Sequence, residues 1–137
     1  MGLYNITYKN KETDELINNQ LGKAYNIIQK IKLKGIGSRR MIIENFSRDM
    51  ANLELKVSGI QYANIEIRPK GIIVHINQGI YTHAWTINYY HLNVYNGEYL
   101  TIHGEGSFIQ FNKKKSWKEN KLFLEKLVSL KADFHSY

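Results

Sequence analysis

Five histidines are the first residues to question for chemistry: His75, His83, His91 and His103 are spread through the middle of the chain, and His135 lies near its end. Strand alternation places His75 and His103 on one outer face of neighbouring strands and His83 and His91 at a common parity. Imidazole is the commonest metal ligand and titrates near neutral pH. A zinc site, however, needs three or more ligands converging at about 2.0–2.2 Å, each held by a further hydrogen bond. No His-x-x-x-His pair stands on a predicted helix and no acid cluster adjoins these histidines, so ordinary strand positions are expected for them. Ser38, Ser47, Ser58 and Ser107 lack the strand–turn–helix elbow that exposes a nucleophilic serine. Glu98 and Glu105 can meet across a hairpin, but both sit near turns, where carboxylates are solvated, so paired acid/base work is not expected of them. Gly35-Ile-Gly37 and Gly104-Glu105-Gly106 are too short for a dinucleotide fingerprint, and neither continues into Gly-Lys-Ser/Thr. These residues read as turns, and no catalytic or cofactor-binding constellation is expected.

Composition narrows the classes further. The 137 residues suffice for one domain that buries about two-thirds of its unfolded surface. The chain contains no cysteine, which excludes disulfides, thiolate catalysis and zinc–thiolate sites and suits a reducing, cytoplasmic setting. No apolar run approaches the roughly 18 residues of a membrane-spanning helix, and Met1 to Lys11 lacks the apolar stretch of a signal peptide. The net charge of +7 is concentrated at the two ends. Its densest run is Lys30, Lys32, Lys34, Arg39 and Arg40, with no acid among them; Lys113, Lys114 and Lys115 form a second. Such clusters attract anionic lipid, nucleic acid or an acidic protein, with a strength that salt screens. The bland reading is a set of solvated faces and helix-end charges.

The elements that must position these residues follow from periodicity. Ile17, Leu21, Ala24, Ile28 and Ile31 recur at helical spacing and predict a helix over 14–31, with Glu12, Asp14 and Glu15 suited to its positive end. Strands occupy 41–111. Leu53, Leu55 and Val57 alternate with polar residues, as do Ile65 and Ile67, and Pro69-Lys70-Gly71 turns the chain into 72–76. A long strand then carries Trp85, Ile87 and Tyr89 inward, and a bulge or kink near Tyr90-His91 must switch its parity before Leu92 and Val94. Asn96-Gly97 signals a type I′ hairpin, and Gly104 to Gly106 a second turn leading into Ser107 to Phe111. Ser116-Trp117-Lys118-Glu119 forms a capping box that opens a helix over 116–133, with Phe123, Leu124 and Leu127 on its buried face. The expected fold is therefore α+β. About six or seven antiparallel strands make one bent sheet or partly open barrel, capped by a C-terminal helix and preceded by an N-terminal one, all in a single domain over 1–137.

The stretch 72–130 resembles bacterial pleckstrin-homology-like (PH-like) domains. The likeness rests on the order of "GIIVHI", "WTINYYHLNVY", "GEYLTIHG", "SFIQF" and the closing helix "WKENKLFLEKLVSLK". The resemblance implies a barrel plugged by its last helix and a protein- or ligand-binding scaffold without catalysis. No binding residue is carried over from the family, because the match is one of strand order and texture.

Three roles remain. The first is a non-enzymatic domain, without cofactor, that binds a protein partner or a second copy through sheet edges and exposed aromatics, with Tyr81, Tyr90, Tyr95 and Tyr99 as interface candidates. The second is recognition of anionic lipid headgroups or nucleic acid through Lys30, Lys32, Lys34, Arg39 and Arg40. The third is an immunity-type role, neutralising a toxin, which a small basic domain can fill.

Overall fold

The computed structural model describes residues 2–47, 50, 61–113 and 117–135, the side chains of Gln78 and His135 excepted. The element order is β1 (Gly2–Asn5), α1 (Lys11–Leu21), α2 (Ile27–Lys32), β2 (Met41–Phe46), β3 (Tyr62–Arg68), β4 (Gly71–Gln78), β5 (Tyr81–Asn88), β6 (Leu92–Asn96), β7 (Leu100–Gly104), β8 (Ser107–Phe111) and α3 (Trp117–His135). The fold is α+β, as expected. Among the described residues, eight strands form one open antiparallel sheet in the order β1-β5-β4-β3-β2-β8-β7-β6.

The strand β2 joins the two halves of this sheet. Met41 and Ile42 pair with β3, whereas Ile43 to Phe46 pair with β8, and the register slips between Ile43 and Asn45. An extra residue at such a slip bends a strand and increases its twist. Both halves thereby turn their apolar faces onto α3. Ile65, Ile67, Val74, Trp85, Ile102, Ile109 and Phe111 meet Phe123, Leu124 and Leu127 in one buried cluster, with Trp117, Leu130 and Phe134 packed around it. Burying each such side chain contributes roughly 1.5–3 kcal/mol.

The opposite face of β4 and β5 is covered too. Ile17 and Leu21 of α1 pack on Ile73 and Ala84, with Tyr4 and Ile6 alongside. This second cluster explains why Ile72-Ile73-Val74 and His83 to Ile87 are buried without interruption, where a half-solvated strand would alternate.

Several expectations are corrected. The helix over 14–31 is two helices: Gly22, at φ 83°, ends α1 by donating its amide to the Asn18 carbonyl, and Asn26 opens α2 with a capping box to Gln29. Only Ile17 and Leu21 of the predicted apolar stripe are buried, while Ile28 and Ile31 face solvent. Eight strands among the described residues replace six or seven, because Gly2–Asn5 adds an edge strand to β5 and the long bent strand is two strands, β5 and β6, separated by a turn over residues 89–91. The type I′ geometry lies at Glu105-Gly106, where both φ values are positive, at 51° and 85°. The Asn96-Gly97 loop instead spans three residues between paired Asn96 and Leu100. The strand expected over Leu53 to Val57 and the capping serine Ser116 lie outside the described residues. Glu119 does stand in the first turn of α3, where a carboxylate complements the helix dipole.

Candidate functional site

The strand β6 ends the sheet order and, among the described residues, pairs only with β7. Among the described residues no strand pairs with its other side, and an edge of that kind can take a further strand. Beside it runs a cleft of about 310 Å³ between the β6–β7 hairpin and α3. Val94, Leu100, Trp117, Leu124 and Val128 give the cleft its apolar walls, and Asn96, Lys121 and Glu125 supply polar groups. The local geometry follows from Lys113. Its ammonium donates to Asn96 Oδ1 and to the Gly97 carbonyl at 2.9 Å, and it sits 4.2 Å from the centre of the Trp117 ring. One cation thus ties the hairpin loop to the start of α3 and holds the mouth of the cleft in shape.

The predicted basic residues are all exposed and are spread over α2 and the segment that leads into β2. Lys30 and Lys32 lie on α2, and Lys34 follows at φ 59°. Arg39 is tied through its backbone, with its amide donating to Asn120 Oδ1 at 2.8 Å, and Arg40 lies over the Tyr62 ring at 4.9 Å. The residue that organises this segment is Lys126 of α3. Its ammonium donates to the carbonyls of Leu33, Lys34 and Gly35 at 2.7, 3.2 and 2.6 Å, closing the C-terminal end of α2. Desolvation, assisted by the nearby Lys34 charge, holds the Lys126 pKa below the usual lysine range.

The histidines also separate. His75 lies on β4 and His103 on β7, in different halves of the sheet, so the shared outer face expected for them is not formed. His75 Nε2 lies 2.9 Å from Glu66 Oε1, and the other carboxylate oxygen accepts from Arg68 Nε. Arg68 also donates to Asn18 Oδ1 and the Gly22 carbonyl at 3.1 and 3.0 Å, pinning α1 to β3. Burial alone would raise the Glu66 pKa. The hydrogen bonds from His75 and Arg68 outweigh it and, with their charges, hold the carboxyl at about 2. A cleft of about 290 Å³ under α1 borders this network. With Glu66 and Arg68 committed to each other and to α1, the network is a clamp between layers. No group of three or more His, Asp or Glu residues among the described residues is placed to hold a metal ion.

The tyrosine candidates divide between sites. Tyr95 and Tyr99 belong to the β6–β7 hairpin, though Tyr95 has the opposite parity to Val94 and points away from the cleft. Tyr90 packs edge-on against Phe134 at 4.9 Å. Tyr81 begins β5, about 23 Å of strand away from the Tyr90 turn. Sequence reasoning missed Val94 and Val128 as cleft residues and Lys113 as the tie at its mouth, because β6 shows itself to be an end strand only once the pairing order is known. Comparison of the chain with protein families, curated proteins and solved structures finds no match.

Proposed function

We propose that this chain is a non-enzymatic, PH-like interaction domain that takes an extended segment of a partner protein as an added strand on β6. The observation that carries this reading is the coincidence of an end strand with an apolar cleft alongside it. Backbone pairing on β6 supplies affinity for any extended chain, while the cleft selects one apolar or aromatic side chain of the segment. Two antiparallel runs of strands sharing β2 and closed by α3 support the PH-like description. The rim pair Lys121 and Glu125 favours a neutral or mixed-charge segment over a strongly acidic or basic one.

The test is selection of displayed peptides on the full chain, followed by amide chemical-shift mapping with the selected peptide. Shifts concentrated on β6 and on residues 117–128 of α3 are expected. Val128→Glu, at an exposed position, should weaken binding at least about tenfold while leaving the melting temperature nearly unchanged. Shifts confined to β1 or the outer face, or full affinity in the Val128→Glu variant, would reject the site.

A further inference from the structure

The helix α2 presents a surface that neither the core nor the β6 cleft uses. Ile27, Ile28 and Ile31 are 75%, 66% and 72% exposed, and no residue of this helix is buried. At about 100° per residue the three isoleucines share an arc of about 100°, with Lys30 about 60° beyond one border and Lys32 about 40° beyond the other. The helix is held in place although its apolar side is uncovered. Its first turn is closed by the Asn26–Gln29 capping box, and the carbonyls that follow it by Lys126. Leu122 of α3, also exposed, borders the depression next to Leu33 and Lys34.

We propose that α2 docks on an anionic bilayer, its isoleucines entering the headgroup–acyl boundary while the surrounding cations engage lipid headgroups. An apolar arc bordered by lysines on both sides is the pattern of an interfacial helix, because lysine stems can lie along the apolar zone while their ammonium groups reach phosphate. Charge decides between occupants. From Leu16 to Ile43 the chain carries Lys23, Lys30, Lys32, Lys34, Arg39 and Arg40 and no acid. A second copy laid on this face would bring like charges together, whereas a bilayer of anionic lipid complements them. A nucleic acid would use the cations but leave the isoleucines without a role. Three isoleucines are a weak anchor alone, so apolar entry and headgroup charge must act together.

Co-sedimentation of the full chain with vesicles tests this. Binding at about 50 mM salt to vesicles with about 30 mol % phosphatidylserine should exceed binding to pure phosphatidylcholine at least about tenfold, and should fall by a similar factor at about 500 mM salt. Ile28→Asp/Ile31→Asp and, separately, Lys30→Glu/Lys32→Glu should each abolish it while melting temperature and peptide binding at β6 stay unchanged. The proposal is overturned by absence of binding to anionic vesicles at low salt, or by binding that survives the isoleucine substitutions. It is equally overturned by a dimer in light scattering that the isoleucine substitutions disperse, because the face would then be a self-contact.

Discussion

Glu66 shows how one side chain couples layers and pH. Its carboxyl sits at about 2 in the fold against an ordinary value of 4.5, so the unfolded chain takes up the proton first as pH falls. The stabilisation is therefore complete above about pH 4.5, shrinks below it and is gone by about pH 2, a loss of about 2 kcal/mol after allowance for solvent screening. Urea denaturation between pH 7 and pH 2 should show this slope in the parent chain and a flatter one in Glu66→Gln. Glu105 makes a second prediction. A glutamate at φ 51° is strained, and its His91 contact at 3.5 Å is largely exposed and contributes little. Glu105→Asn should raise stability by about 0.5–1 kcal/mol, seen as a higher denaturation midpoint.

At the scale of elements, the contacts that fix helices to strands make the strongest predictions. A Cβ on Gly71 would stand 2.1 Å from the Ile87 carbonyl and 2.8 Å from Leu21, so Gly71→Ala should cost about 3 kcal/mol by pushing β4 away from β5 and α1. Lys126→Met should cost about 1 kcal/mol, and amide exchange should show it as faster opening of α2 while the sheet is spared. These elements also show what the sequence revealed. The strands β3, β7 and β8 and the helix α3 were legible because alternation or helical spacing coincides with burial in one shared core, and β4 because the Pro69-Lys70-Gly71 turn leads into it. The break between α1 and α2 was not, because Ile28 and Ile31 continue the spacing of Ile17 and Leu21 without sharing their environment. The Asn96-Gly97 signal did mark a hairpin, β6–β7, but its loop takes three residues instead of two. The β6 cleft was invisible for a different reason: it depends on β2 reaching β8, a pairing that no local pattern encodes.

The whole molecule has two apolar clusters on opposite faces of a common sheet, one under α3 and one under α1. Since β4 and β5 contribute to both, damage to either cluster should weaken the same cooperative unit. Leu127→Ala and Ile17→Ala, the first costing about 3 kcal/mol and the second about 2, should each lower a single transition. Far-ultraviolet circular dichroism and tryptophan fluorescence should report coincident midpoints; separate midpoints would show that the α1 layer melts on its own. The shared strand β2 carries a consequence for synthesis. Among the described residues its second half pairs with β8, so on the ribosome Ile43, Asn45 and Phe46 gain that neighbour only after Ile109 to Phe111 are made. Closure of that long loop, like the longer one between β1 and β5, is slow and entropically costly. During the delay the β8-facing edge of β2 is left open on the nascent chain, the kind of strand edge that chaperones shield.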